Sequence, residues 1–191
     1  MKLVIASNNT KKRQEIVAIL ATVGVRCVAA HDTRFVPVQE IGTSFAENAR
    51  LKAKSFAQAN GLPALADDSG LCVQALNGAP GIYSSRFAGP SATDEDNCRK
   101  LLDAMRGKQD RRAYFICAVH LAFPDGRAPI TSEGRVEGFI LEACAGQGGF
   151  GYDPLFFSPE LNKPFALASD EEKASVSHRG RALRALVQQL R

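Results

Sequence analysis

The chain has no long apolar run and no block of like charges. No stretch approaches membrane-spanning length, and the apolar run after Lys2 is only four residues long, so we expect neither a membrane span nor a secretory leader. Lys and Arg are dispersed, and a formal net charge of +4 is too dilute to indicate a nucleic-acid partner. We therefore predict a cytoplasmic protein that binds neither membrane nor nucleic acid.

Several standard motifs are also missing. The five cysteines are widely spaced without a Cys-x-x-Cys pair, which is typical of reduced thiols and not of a disulfide framework or a zinc site. The P-loop pattern and His-Glu-x-x-His are both absent. Residues 146–151 do have the spacing Gly-x-Gly-x-x-Gly, but a dinucleotide fingerprint must open a long helix, and Pro159 would end one soon after. These absences exclude the corresponding classes of enzyme.

The sequence does contain interleaved strand and helix patterns. With 45% hydrophobic residues, 191 residues can form the core of one domain, which we expect to span residues 1–191 with two lobes. Residues 2–6 predict a buried strand and residues 9–24 a helix, while the spacing of apolar residues predicts further helices near Leu101 and Leu183. Within residues 112–141, two runs rich in β-branched and aromatic residues lie on either side of Pro-Asp-Gly. This pattern predicts a strand, a tight turn and a returning strand. The expected fold class is α/β with a mixed sheet flanked by helices.

The first strand is followed by a candidate anion site. Ser7, Asn8 and Asn9 lie where this strand meets a helix with Lys11 and Lys12 in its first turn. Ser and Asn are good helix N-caps, and capping alone is one interpretation. Lysines in a first turn oppose the helix dipole, however, and a bound anion would remove this conflict.

A second candidate lies on the helix predicted for residues 44–60. On a helical wheel, Lys52 falls within the apolar face, between Ala49 and Phe56. Its ammonium could extend to the edge of the core, as lysines often do. Otherwise it points into a cleft and needs a partner, for which a phosphate or the carboxylates of Asp67 and Asp68 would serve.

The pair Asp67 and Asp68 closes an apolar run and precedes Ser69 and Gly70. Side chains alternate along a strand, so we expect the two carboxylates to face opposite sides, with one in a site and the other in a structural hydrogen bond. Because Asp-Ser-Gly is also typical of turns, a solvated turn is the alternative. Glu40 is a third acid between an apolar segment and a turn, and divalent cations bound with nucleotides take one or two carboxylates.

Five segments together resemble the inosine/xanthosine triphosphate pyrophosphatase family, and they span nearly the whole chain. These segments are SNNTKK, TSFAENARLKA, LADDSGLCVQALNGAPGIYSSRFAG, GFGYDPLFF and EKASVSHRGRAL. The resemblance implies a two-lobed α/β protein with a long central mixed sheet and a nucleotide cleft. It also implies Mg²⁺-dependent hydrolysis of ITP, dITP and XTP to the monophosphate and pyrophosphate, by a homodimer. The first motif departs from the usual T-G-N-x-G-K, because Asn8 and Lys11 replace its glycines.

The resemblance also implies roles for individual residues. Asp68 would activate water and, with Glu40, bind magnesium. The substrate-binding residues would be Ser7, Asn8, Asn9, Thr10, Lys11, Lys12 and Lys52 for the triphosphate, Ser69 for the nucleotide, Phe150, Gly151, Tyr152 and Asp153 near the base and sugar, and Lys173, His178 and Arg179 for the base. Asp67 would support the metal site or the structure. In isolation, His178 would be interpreted as a surface or capping histidine.

Two alternatives to this function remain open from the sequence. The chain could be a Maf-type nucleotide pyrophosphatase with another base preference, or a nucleotide- or RNA-binding module without catalytic activity. Retention of the Asp pair and Glu40 argues against the second alternative. For the homodimer, the loop of residues 77–92, with Ile82, Tyr83 and Phe87, is the candidate interface.

Overall fold

The computed structural model describes residues 1–190. Its α-helices are α1 (Thr10–Ala21), α2 (Phe45–Asn60), α3 (Asp94–Ala104), α4 (Asp170–Val176) and α5 (His178–Gln188). Its strands are β1 (Lys2–Ile5), β2 (Arg26–Cys27), β3 (Ala64–Val73), β4 (Arg112–Ala122), β5 (Ile130–Ile140), β6 (Phe156–Ser158) and β7 (Lys163–Pro164). None of the helices within residues 1–190 combines the length and apolar character needed to cross a membrane. Arg191, the end of the predicted domain, lies outside the described residues.

The strands form one seven-stranded sheet in the order β2-β1-β3-β4-β5-β6-β7. Strand β1 pairs in parallel with β2 and β3, whereas β6 pairs antiparallel with β5 and β7. The sheet is therefore mixed, and the predicted α/β class is confirmed. The two strands predicted on either side of Pro-Asp-Gly are β4 and β5, which are neighbours in the sheet.

The chain divides into two compact units. Unit 1 contains Met1–Asp68, Cys117–Gly134 and the chain from Arg179 onward. Strand β1 is covered on both faces, which explains why three consecutive residues, Leu3, Val4 and Ile5, are apolar and buried. Leu3 and Ile5 pack in a cluster with side chains of α1 and α5, whereas Val4 packs with side chains of α2.

Unit 2 contains Ser69–Ile116 and Arg135–His178. Its core is richer in aromatic side chains and includes Phe115, Tyr152, Phe156 and Phe165. The rings of Phe115 and Phe156 lie 4.7 Å apart between centroids. This core supports the turn that contains the Phe-Gly-Tyr-Asp motif.

Strand β3 does not end at the acidic pair. It runs through Asp67, Asp68, Ser69 and Gly70 to Val73, and both aspartates are buried. The solvated-turn interpretation of Asp-Ser-Gly was therefore wrong. Local turn preference is a weak signal, and here the pairing of a central strand outweighs it.

The two helices beside the candidate sites begin at side-chain caps. Asn9 accepts a hydrogen bond from the backbone N–H of Lys12, 3.0 Å away, and precedes α1. Ser44 caps α2 in the same way and accepts from the N–H of Glu47. Each cap fixes where its helix begins. The cap of α1 thereby places Lys11 and Lys12 in the first turn, and the cap of α2 places Glu47 there.

Candidate active site

Asp68 lies at the centre of a polar cluster in unit 1. Its Oδ1 accepts a hydrogen bond from Lys52 Nζ at 3.0 Å, and its Oδ2 accepts one from Asn48 Nδ2 at 3.3 Å. Asn48 and Lys52 are four residues apart on α2, so one face of that helix supplies both donors. The predicted partner of Lys52 is confirmed, and Lys52 does not simply extend its ammonium to solvent.

Glu40 completes this cluster from the extended segment before α2. Its Oε1 lies 2.9 Å from Lys52 Nζ, so a single ammonium is bonded to two carboxylates. Burial acts to lower the pKa of Lys52, but the charges of Asp68, Asp67 and Glu40 outweigh it and raise that pKa. Lys52 is therefore a firmly protonated cation that holds two like charges together.

The same arrangement favours the charged form of Lys52 but the neutral form of Asp68. Burial, followed by the charge of Glu40, raises the pKa of Asp68 despite the attraction of Lys52. Its carboxylate therefore takes up a proton more readily than that of an ordinary aspartate.

The donor set of Asp68 and Glu40 also suits a divalent cation. Their oxygen atoms converge on one positive charge, the ammonium of Lys52, and hard cations such as Mg²⁺ take one or two carboxylates together with phosphate oxygens. Within residues 1–190, no group of three or more His, Cys, Asp or Glu side chains is arranged to hold a metal ion. Two carboxylates would leave the remaining coordination positions to substrate and water.

Asp67 faces the other side of β3 and contacts different cations. Arg179, on α5, donates to Asp67 Oδ2 from Nε at 3.2 Å and from Nη2 at 3.1 Å, and Lys12 Nζ lies 3.4 Å from the same oxygen. Burial alone would raise the pKa of Asp67, but Lys12 and Arg179 outweigh it and hold that pKa far below the usual range. Asp67 is therefore a permanently charged partner of two cations.

Arg179 is itself fully buried, with 1% of its side chain exposed. It donates to Asp67 and, through Nη1, to Glu15 on α1. Burial would lower the pKa of Arg179, but Asp67 and Glu15 raise it. The ion-paired chain Glu15–Arg179–Asp67–Lys12 links two positions of α1 through α5 and β3.

The first motif surrounds the start of α1. Ser7 Oγ accepts from the N–H of Asn9 at 3.2 Å, and Asn8, Thr10 and Lys11 are exposed. Neither Asn8 nor Lys11 has a positive φ, and Lys11 lies within the helix. The two replaced glycines of the family motif therefore cause no backbone strain in this chain.

In unit 2, the Phe-Gly-Tyr-Asp turn is fixed by Asp153. Its Oδ2 accepts from the N–H of Phe150 at 2.8 Å and from Lys173 Nζ at 2.6 Å. The Lys173 ammonium lies 4.5 Å from the centroid of the Phe150 ring. Gly149 has φ +71°, and a Cβ there would lie 2.1 Å from Asp153 Oδ2, so only glycine fits.

Other predicted residues of unit 2 lie deeper than the sequence suggested. Tyr152 belongs to the core, and its hydroxyl donates to the carbonyl of Ser84 at 2.8 Å. His178 is buried and stacks on Phe115 with centroids 4.8 Å apart, so it is not a surface histidine. Ser69 follows Asp68 on β3 and is half-buried.

The structure thus brings Glu40, Lys52 and Asp68 together in unit 1, and Phe150, Asp153 and Lys173 together in unit 2. Sequence reasoning missed Asn48 and Glu15. A signal existed for both, because Asn48 precedes Lys52 by four residues and Glu15 follows Lys12 by three, so each pair shares a helix face.

The fold and these clusters define an α/β protein whose buried acids and lysines suit a polyanionic substrate bound with a cation. The Ham1 family model matches residues 3–189. A dITP/XTP pyrophosphatase of Nitrosomonas europaea is 49% identical over 190 residues, which cover 99% of this chain and 94% of that protein. A dITP/XTP pyrophosphatase of Thermus thermophilus is 50% identical over 190 residues, covering 98% of this chain and 91% of that protein.

A solved structure agrees with these relatives. A HAM1 protein from Coxiella burnetii superposes with a TM-score of 0.90 at 39% identity, covering 100% of this chain and 98% of that chain. The chain belongs to the Ham1 family.

Proposed function

We propose that this chain hydrolyses non-standard purine nucleoside triphosphates, namely ITP, dITP and XTP, to the monophosphate and pyrophosphate. The observation that carries the proposal is the bonding of Lys52 to both Glu40 and Asp68 in a chain whose relatives are named dITP/XTP pyrophosphatases. A phosphoanhydride reacts slowly with water because it lacks charge neutralisation and a positioned nucleophile. This cluster can supply both.

In this proposal, Asp68 orients and deprotonates the attacking water. Its raised pKa suits a proton acceptor, and Asn48 fixes the orientation of its carboxylate. Water attacks the α-phosphorus and pyrophosphate leaves. Ser7, Asn8, Asn9, Thr10, Lys11 and Lys12 bind the triphosphate together with Lys52, and Ser69 contacts the nucleotide.

Glu40 and Asp68 would hold Mg²⁺, which when bound would neutralise charge on the phosphate oxygens. Lys52 keeps these two carboxylates close together in a buried position, where their mutual repulsion would otherwise separate them. Asp67 holds Lys12 and Arg179 in place by ion pairing, and its lowered pKa keeps it out of proton transfer.

For the base and sugar, the proposed residues in unit 2 are Phe150, Gly151, Tyr152, Asp153, Lys173 and His178. The Phe150 ring can stack on any base, while Lys173 and backbone N–H groups are donors that match a 6-oxo acceptor. We retain Arg179 as a proposed base-recognition residue, although its guanidinium is bonded to Asp67 and Glu15. Loss of selectivity in Arg179→Ala must therefore be separated from loss of stability.

We also propose a homodimer and a cytoplasmic location. Tyr83, in the candidate interface loop, is 57% exposed, with Arg86 against its ring. The location is supported by the five widely spaced cysteines without a Cys-x-x-Cys pair, a pattern typical of proteins of a reducing compartment. Sedimentation that shows only monomer at micromolar concentration would contradict the dimer.

The test of the proposed function is pyrophosphate release from all common and deaminated nucleoside triphosphates, with and without Mg²⁺. We expect Mg²⁺-dependent turnover of ITP, dITP and XTP. A preference for pyrimidine nucleotides would favour the Maf-type activity instead, although membership of the Ham1 family argues against it. Binding without turnover would indicate a non-catalytic module.

A further inference from the structure

The extended segment of residues 34–42, which carries Glu40, is hydrogen-bonded to α2 at both of its ends. At its first residue, Asn60 Oδ1 accepts from the backbone N–H at 2.8 Å and Asn60 Nδ2 donates to the carbonyl at 3.1 Å. At its last residue, Asn48 Oδ1 accepts from the N–H of Gly42 at 2.9 Å. Two asparagines, one near each end of α2, therefore hold this segment.

The two asparagines differ in what else they contact. Asn60 is half-buried, and its amide also donates to the carbonyl of Phe56 in the same helix at 2.9 Å. Asn48 is completely buried, and its Nδ2 donates to Asp68 Oδ2 at 3.3 Å. The carboxamide of Asn48 thus bridges two groups: the backbone two residues after Glu40, and the carboxylate of Asp68.

The two polar contacts explain why an asparagine occupies this buried position. Asparagine is a weak helix former, and burial of an amide without partners costs free energy. At Asn48, the acceptor end of the amide is bonded to Gly42 and the donor end to Asp68. Neither helix propensity nor apolar packing would favour an amide here, so its place in the fold depends on the bridge.

The bridge also requires a close approach of the backbone at Gly42. A Cβ on this residue would lie 2.7 Å from Asn48 Oδ1 and 2.7 Å from Glu47 Cβ, which is closer than a real Cβ comes to another atom. A larger residue would therefore push the segment away from α2 and lengthen the hydrogen bond to Asn48. Glycine allows the segment to lie directly against the helix.

We propose that Asn48 is a positioning residue that sets the spacing of Glu40 and Asp68 for a divalent cation. This inference rests on the proposed function, in which these two carboxylates hold Mg²⁺. Asn48 orients the Asp68 carboxylate and, through the same short side chain, fixes the backbone that carries Glu40. Hydrogen bonds of this kind to ligating carboxylates tune metal affinity, and losing one typically costs about 10–100-fold.

Lys52 also joins the two carboxylates, but in a different way. Its ammonium is bonded to Asp68 Oδ1 and Glu40 Oε1, which are oxygens that a cation would also use. The Asn48 bridge uses neither of them, because it joins Asp68 Oδ2 to the N–H of Gly42. The bridge is therefore compatible with a bound cation, whereas the ammonium competes with it.

The experiment measures Mn²⁺ binding to the full folded chain without nucleotide, from the loss of the electron paramagnetic resonance signal of free Mn²⁺. Mn²⁺ prefers the same oxygen ligands as Mg²⁺. Asn48→Leu has a similar branched shape but lacks both polar contacts, and it should bind Mn²⁺ about 10–100-fold more weakly than wild type. Gly42→Ala keeps every side chain of the cluster and should also weaken binding, so it decides the matter if Asn48→Leu does not fold.

Asn60→Leu is the matched control, because it removes an amide from the same helix and the same segment without touching Asp68. Its urea midpoint should fall while its Mn²⁺ affinity equals that of wild type. If Asn48→Leu or Gly42→Ala folds and gives this same result, the role of Asn48 is structural and the proposal is overturned. An equal loss of affinity in Asn60→Leu would also overturn it, because loosening of the segment would then be sufficient.

Mn²⁺ binding does not depend on turnover, so the positioning role and the proposed function can fail separately. Wild type that binds no Mn²⁺ would overturn the positioning role, whatever its activity. If both hold, the Mg²⁺ concentration for half-maximal turnover of ITP should rise in Asn48→Leu and Gly42→Ala but not in Asn60→Leu. An unchanged Mg²⁺ requirement in the first two variants would contradict the proposal.

Discussion

Asp67 and Asp68 are consecutive residues of one strand, and their carboxylates are bonded to different cations: Asp67 to Arg179 and Lys12, Asp68 to Lys52. The pKa of Asp67 is lowered by its two cations, whereas the pKa of Asp68 is raised by burial and by Glu40. Neighbouring acids with opposite shifts have different roles. Replacing Asp68 by asparagine should therefore lower catalysis without lowering stability. Replacing Asp67 by asparagine should lower stability.

Asp68→Asn should lower kcat by at least about 10²-fold, the scale expected when a general base is lost. Its stability should be unchanged or higher, because burial penalises the charge that is removed. Steady-state pyrophosphate release and urea unfolding measure the two effects. Turnover close to wild type would exclude Asp68 as the base.

Asp67→Asn should destabilise the fold by about 3–5 kcal/mol, because it leaves the buried guanidinium of Arg179 without a full counter-charge. Urea unfolding at neutral pH is the measurement, and Asp68→Asn is the matched control on the same strand. Unfolding at the same midpoint as wild type would show that Glu15 alone can balance Arg179.

The pH dependence of unfolding should separate the two acids. A folded-state pKa below the unfolded value of about 3.9 gives Asp67 a stabilising contribution that is present above that pH and lost as the pH falls below it. Asp68 has the opposite sign: because its folded-state pKa is raised, its contribution to stability improves as the pH falls from that pKa toward the lower unfolded value. Urea midpoints from neutral pH to pH 3 should thus fall less steeply for Asp67→Asn and more steeply for Asp68→Asn than for wild type.

Lys52→Met should destabilise the protein at neutral pH by about 1–3 kcal/mol, because the carboxylates of Glu40 and Asp68 lose their shared donor. Acid should reduce the loss, since protonation removes the repulsion between them. Lys54→Met, on the exposed face of the same helix, is the control and should unfold like wild type. Equal midpoints for both variants would contradict this account of Lys52.

Substrate selectivity should follow the 6-position of the purine. ITP, dITP and XTP should be good substrates, GTP poor and ATP poorest, with a ratio of kcat/KM between ITP and ATP on the order of 10⁴, because donors facing a 6-amino group remain unpaired. Competition between ITP and ATP in one assay measures this ratio. Comparable values would refute the proposed base recognition.

The sequence by itself determined the local elements and the two-sided placement of the acids. Apolar periodicity predicted β1, α1 and α2, and the strict alternation of a strand predicted that Asp67 and Asp68 point to opposite faces. The helical wheel placed Lys52 on the apolar face and left two outcomes, an ammonium at the edge of the core or one with an anionic partner. These features depend on neighbours within a few residues, so they can be inferred from sequence.

Only the tertiary structure decided which partners meet. Arg179 reaches Asp67 across 112 positions of the chain, and nothing local to either residue indicates that α5 covers that face of β3. The continuation of β3 through Asp-Ser-Gly, the burial of Tyr152 and the contact of Cys98 with Gly151 are likewise decided by packing. Long-range contacts form because burying apolar surface brings distant segments together, and only then do buried charges find partners that offset their desolvation.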